Sequence, residues 1–117
     1  MRVSIIITAQ NEEKYLPMLF EDILNQTYPL QNVEVVLMDS NSTDNTRRLM
    51  EEFKNSNSTL SVQVVTNSRQ IQAAGFNEGV KHATGDVVLK IDAHSRIPAD
   101  FVEKNVDEIL AGAYVCG

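Results

Sequence analysis

The sequence predicts an α/β fold: an open, mostly parallel sheet with helices on both faces. Three observations carry that expectation. Four short runs rich in β-branched and aliphatic residues are separated by segments whose apolar residues recur at helical spacing. Polar, turn-forming residues stand at the junctions. The 117 residues, 43% hydrophobic and 22% charged, suit one core. Strands alternating with helices imply right-handed crossovers, which leave the strands parallel.

The first strand is expected over Val3 to Thr8, a β-rich run. After Asn11, Leu16, Leu19, Phe20, Ile23 and Leu24 recur at i, i+3, i+4, i+7 and i+8, one face of an amphipathic helix. Pro17 belongs in that helix's first turn, where its missing N–H costs nothing, and Tyr28-Pro29 marks the loop beyond it. Val33 to Met38 is the second strand and ends at Asp39. Ser42, Thr43 and Asp44 offer N-caps for a second helix with Leu49, Met50 and Phe53 inward. The polar run Asn55 to Thr59 is a loop, Leu60 to Thr66 alternates as a third strand, and Ile71 to Ala83 reads as a third helix. Gly85 is placed for a C-terminal cap. Val87 to Ile91 is a fourth strand, short and apolar enough to be buried on both faces. Pro98 opens a last helix with Phe101, Val102, Val106, Ile109 and Leu110 on its apolar face.

Charge and cysteine usage narrow the function classes. Ten Lys plus Arg against sixteen Asp plus Glu give a net charge of -6, and no basic block offsets it, so nucleic acid is not an expected partner. The single cysteine, Cys116, gives neither a disulfide framework nor a thiolate zinc motif, and fits a reducing, cytoplasmic setting. Ile5 to Ile7 is too short an apolar stretch to span a membrane or act as a secretory leader.

In open α/β sheets ligands bind beyond the carboxyl ends of the strands, where strand order reverses, commonly between the first and fourth strands. Asp39 and Asp92 fall at such ends, as does "TAQNEE", Thr8 to Glu13. That segment contains no glycine, which excludes both a dinucleotide fingerprint and a P-loop. Phosphates beside two carboxylates then call for a divalent cation. Asp92 offers a hard oxygen, and His94, two residues on, would favour manganese over magnesium. By itself an Asp-x-His tripeptide is more often a cap or loop contact than a ligand set; its place at a strand exit makes the two readings about even, and the neighbouring segments add to the metal reading. Lys90 shares a face with Asp92 by the period of two. A phosphorelay receiver domain would need a phosphorylatable Asp after the third strand, where Thr66, Asn67 and Ser68 stand. A nucleotidyltransferase would want a glycine-rich basic loop in place of "TAQNEE".

Four segments in order, "VSIIITAQNEEKYL", "VVLMDSNSTDNT", "AAGFNEGVKHATGDVVLKIDAH" and "IPADFVEK", resemble glycosyltransferase family 2, inverting enzymes that use nucleotide-sugars and have the Rossmann-like GT-A fold. The resemblance implies that Asp39 contacts the nucleoside base, that Thr8, Gln10 and Glu12 line the base pocket, and that Arg69 and Asn77 face the nucleotide. It implies that Asp92 serves diphosphate and metal, with His94 where the family's Asp-x-Asp motif has its second Asp. A similar Asp-x-His occurs in polypeptide N-acetylgalactosaminyltransferases and in some bacterial exopolysaccharide transferases. The implied activity is hexosyl transfer from a UDP-sugar, with Mn2+ or Mg2+, to a saccharide or lipid-linked acceptor in cell-surface or exopolysaccharide synthesis. Its setting would be cytoplasmic, with the full-length protein at the inner face of the membrane. A noncatalytic nucleotide-sugar-binding module and a nucleotidyltransferase are the alternatives. The resemblance further implies that residues 1–117 are the donor-binding half of a GT-A domain, with the catalytic base beyond Gly117. Ala113 to Cys116 would begin the next strand, and the apolar surface left exposed would promote self-association.

Overall fold

The computed structural model describes residues 1–56, 59–66 and 79–110. The strands β1 (Val3–Ala9), β2 (Val33–Asp39), β3 (Ser61–Thr66) and β4 (Val87–Asp92) form one sheet in the order β3-β2-β1-β4, and every neighbouring pair is parallel. The helices are α1 (Leu16–Leu24), α2 (Thr46–Ser56) and α3 (Phe101–Leu110), with a 3-10 turn at Leu30–Asn32. Residues 79–82 are helical and Ala83, the expected last residue of the third helix, is not; residues 71–78 of that expected helix and the expected strand at Ala113 to Cys116 lie outside the described residues.

The period of two divides the sheet into unlike faces. Ile5 and Ile7 of β1, Val35 and Leu37 of β2, and Leu89 and Ile91 of β4 join α1, α2 and α3 in the main core. Phe20 of α1 and Phe53 of α2 stack within it, centroids 4.1 Å apart. On the other face Ile6, Val36 and Met38 form a smaller cluster with Val65, Ala83 and Val88. Ile5, Ile6 and Ile7 are fully buried, and each such side chain contributes roughly 1.5–3 kcal/mol.

That second face is polar at both ends. At the amino end Glu34 is 1% exposed and its carboxylate is saturated. Gln63 Nε2 donates to Oε1 at 2.8 Å, and the Thr84 N–H and hydroxyl and the Ser4 hydroxyl donate to Oε2. Arg2 lies 3.6 Å away. At the carboxyl end of the same face stand Thr8 and Asp92, paired in register across β1 and β4.

Several expectations need correction. β4 alternates between buried and partly or fully exposed residues instead of being buried throughout, because Val87, Leu89 and Ile91 face the main helix-covered core while Val88, Lys90 and Asp92 lie on the face with the smaller cluster. Gly85 does not adopt a left-handed φ. A Cβ there would lie 2.6 Å from Ser4 Oγ, which accepts the Gly85 N–H, so close approach is what requires glycine. Pro98 precedes α3 by a turn closed from Phe101 N to Pro98 O instead of opening it. Leu110 is 66% exposed, off the face that buries Val102 and Val106.

Candidate functional site

Strand order reverses between β1 and β4: β2 and β3 extend the sheet to one side of β1, and β4 lies on the other. At such a reversal ligands bind beyond the carboxyl ends of the strands, and here a crevice lies at the carboxyl ends of β1 and β4. A cavity of about 250 Å³ fills it, lined by Thr8, Gln10, Glu12, Ser40, Asp92 and His94 among others.

Two interlocks hold its walls. Asn11 has a left-handed φ of 54°, which asparagine tolerates, and so does Asn41 in the facing loop. Asn11 Oδ1 accepts the N–H groups of Thr43 and Asp44 at 2.8 and 3.3 Å, while its own N–H donates to Ser42 Oγ. Glu12 N–H donates to Thr46 Oγ1 at 2.8 Å, and Glu12 O accepts from Tyr15 and Leu16 at the start of α1. The β1–α1 and β2–α2 loops are thus one unit. Asp44 accepts the Thr46 N–H, supporting the start of α2. Burial acts to raise its pKa, but hydrogen bonds from Thr46 and Glu13 outweigh that and hold it below the usual value.

The second interlock fixes the chain after β4. Arg96 donates twice to Asp22 of α1, at 2.7 and 3.0 Å, and Ile97 N–H adds a third bond at 3.2 Å. The Arg96 hydrogen bond is the main reason that Asp22 titrates below the ordinary carboxylate range. Gln26, buried at the end of α1, donates to Pro98 O and accepts Val102 N–H.

The structure brings Thr8, Gln10, Glu12, Asp92 and His94 to one cavity. Asp92 is the last residue of β4, and the turn closed by Ser95 N to Asp92 O carries His94 round to the same cavity. Strand alternation therefore does not place the imidazole; the turn does. Asp39, 4% exposed, stands beside the cavity but is not among its lining residues. Its Oδ1 accepts Ser42 N–H at 3.0 Å, and its Oδ2 lies 3.7 Å from Arg47 Nη1. Arg69 and Asn77 lie outside the described residues. Sequence reasoning missed Asn11, whose part rests on contacts some 30 residues away, and Ser40, which lines the cavity one residue beyond Asp39. It also passed over Tyr15, which meets His94 edge-on at 6.2 Å; no local spacing signals that contact.

Among the described residues, two buried side-chain oxygens have no hydrogen-bond partner, Thr8 Oγ1 and Glu12 Oε2, and both belong to cavity-lining residues. Buried polar atoms are rarely left so unless something else satisfies them. The donor set around the cavity, carboxylates with one imidazole, suits a divalent cation. No three His, Cys, Asp or Glu groups among the described residues form a ready cluster. Phosphate oxygens commonly complete the shell of such an ion in nucleotide sites.

The family model described as Glycosyl transferase family 2 matches residues 4–117. The chain is 36% identical over 105 residues to a dolichyl N-acetyl-α-D-glucosaminyl phosphate 3-β-D-2,3-diacetamido-2,3-dideoxy-β-D-glucuronosyltransferase of Methanococcus voltae, covering 90% of this chain and 33% of that protein. It is 30% identical over 117 residues to an undecaprenyl-phosphate 4-deoxy-4-formamido-L-arabinose transferase of Proteus mirabilis, covering 99% of this chain and 36% of the relative. Among solved structures it resembles residues 1–349 of TarS from S. aureus in complex with UDP-GlcNAc, with TM-score 0.82 and 27% identity, covering 95% of this chain and 32% of that one. It also resembles the mannosyltransferase PcManGT from Pyrobaculum calidifontis in complex with GDP-Man and Mn2+, with TM-score 0.85 and 32% identity, covering 94% and 32%. The chain spans about a third of the length of these curated relatives.

Proposed function

Because the chain belongs to glycosyl transferase family 2, we propose that its cavity binds the nucleoside diphosphate of a UDP-sugar, as the donor half of an inverting glycosyltransferase acting on a saccharide or lipid-linked acceptor. The observation that carries this reading is the pair of unpartnered buried oxygens, Thr8 Oγ1 and Glu12 Oε2, at a crevice that also presents Asp92 and His94.

Asp92 and His94 would hold Mn2+ or Mg2+ together with the diphosphate; the chemistry the ion supplies when bound is neutralisation of the departing diphosphate's charge. Thr8 and Gln10 would line the base side of the cavity. Asp39, one residue before Ser40, would accept the uracil N–H through the carboxylate edge not engaged by Ser42. The interlocks at Asn11 and at Arg96 fix the loops that carry these groups before the ligand arrives, which lowers the ordering cost of binding. The lipid-linked substrates in the names of the two curated relatives support work at a membrane surface. Among the described residues no helix is long and apolar enough to cross a membrane. The general base is proposed to lie outside these residues. Glu103, on α3, accepts a hydrogen bond from Thr27 at 2.6 Å, and Asp107 and Glu108 are solvated on the same helix.

Calorimetry with UDP, GDP, CDP and ADP, each with and without Mn2+, tests the reading. UDP should bind most tightly, and Asp92→Asn should remove most of the gain that Mn2+ gives. Equal affinity for all four nucleotides would remove the base-recognition role of Asp39, and so would an Asp39→Ala variant that keeps the preference.

A further inference from the structure

We propose that Glu12 is a positioning residue for His94: its Oε2 accepts the imidazole Nδ1–H, which fixes the tautomer and leaves Nε2 unprotonated as the ligand atom for a divalent cation. The inference rests on the reading of the cavity as a cation-dependent nucleotide site, and it gives Glu12 a different task from lining the base pocket.

Glu12 Oε2 lies 3.4 Å from His94 Nδ1. That is within charge-contact range but outside hydrogen-bond geometry, so the oxygen remains buried and unpartnered. A small closure converts the contact into a hydrogen bond, and site contacts commonly tighten in this way when ligand arrives. Removing a carboxylate oxygen from water without a partner is costly, and the nearby imidazole N–H is the donor that would relieve it.

The backbone that carries this carboxylate is anchored. Glu12 N–H is bonded to Thr46 Oγ1 and Glu12 O to the first turn of α1, and the side chain is 23% exposed. By contrast the imidazole is 63% exposed, on a turn, and would sample several rotamers without lateral contacts. Two contacts restrain it, Glu12 on its Nδ1 edge and Tyr15 edge-on against the ring, and both come from the segment between β1 and α1. A carboxylate that orients a metal-binding imidazole through its other nitrogen is a recurring arrangement, and its loss typically costs roughly 10–100-fold in metal affinity.

The test is a double-mutant cycle on the full chain, read by calorimetry of UDP binding in Mn2+, with uridine as the metal-independent probe. Glu12→Ala should weaken Mn2+-supported UDP binding by about 10-fold or more while leaving uridine affinity unchanged. The nearly isosteric Glu12→Gln, which keeps an acceptor oxygen, should recover part of the loss. In a His94→Ala background Glu12→Ala should cause no further loss, because the group it positions is gone. An undiminished effect in that background would overturn the proposal in favour of direct ligation. A parallel loss of uridine affinity would overturn it in favour of a base-pocket role. If His94→Ala itself leaves Mn2+-supported binding unchanged, the cation role of His94 falls and the positioning role falls with it, whereas specific uridine binding would still support a nucleotide site.

Discussion

The amino and carboxyl ends of the sheet treat a carboxylate in opposite ways. At the amino end Glu34 accepts from Gln63, Thr84 and Ser4 and has Arg2 nearby, so its oxygens are fully engaged. At the carboxyl end Thr8 Oγ1 and Glu12 Oε2 are buried without a hydrogen bond, although His94 Nδ1 lies 3.4 Å from Glu12 Oε2. Between them lie Ile6, Val36 and Met38, which contribute packing alone. A saturated buried polar network stabilises and specifies the fold, whereas an unsaturated one lowers stability and leaves bonding capacity for a ligand. On the function proposed above, the amino end serves the fold and the carboxyl end serves the ligand.

The largest effect is expected where the network is complete. Glu34→Ala leaves the buried Ser4 hydroxyl and the part-buried bonds of Gln63 and Thr84 without their shared acceptor, and should cost on the order of 2–3 kcal/mol. The measurement is a urea midpoint. A change below about 1 kcal/mol would mean that the donors find water and that the two ends are not so different. Asn11→Ala comes next, since it removes the acceptor joining two loops and forces alanine into a left-handed φ. We expect a loss of about 1–2 kcal/mol together with weaker nucleotide binding. Asn11→Gly, which relieves the backbone strain only, should restore part of the stability and little of the affinity.

Thr8→Val reverses the sign. It replaces an unpartnered hydroxyl with a methyl of similar size, so stability without ligand should hold or rise by up to about 1 kcal/mol, while UDP affinity falls. A clear destabilisation would show that the hydroxyl is satisfied in solution. The smallest effect concerns the Arg96–Asp22 interlock. Asp22 has a folded-state pKa below its ordinary 3.8, mainly because of the Arg96 hydrogen bond. Its contribution is therefore fully present above that ordinary value and is lost as the pH falls through the folded-state pKa. Asp22→Asn should flatten the acid limb of a stability profile below about pH 4 and leave its slope at neutral pH unchanged.

Much of this was legible in the sequence because it is written in local patterns. The strand runs of β1, β2 and β4, the spacing of Leu16, Leu19, Phe20 and Ile23, and Asp92 at a strand exit need only neighbouring residues to be read. What could not be read depends on partners far along the chain. Glu34 interrupts an otherwise apolar run, and nothing local shows that Thr84, fifty positions later, will satisfy it. Asn11 looks like one more turn residue until its oxygen is seen on the next loop. Asp39, at a ligand-facing strand end by sequence, turns its Oδ1 to the backbone of Ser42. Gly85 looked like a helix cap, and only the packing against Ser4 gives the reason for a glycine.

The division between the two ends is tested most directly by amide hydrogen exchange with and without UDP and Mn2+. Added ligand should slow exchange at Gln10 to Glu12 and at Ala93 to Ser95, and leave Arg2 to Ser4 and Thr84 to Asp86 unchanged. Protection confined to the Glu34 end, or uniform across both ends, would contradict the assignment of the crevice between β1 and β4 as the nucleotide site.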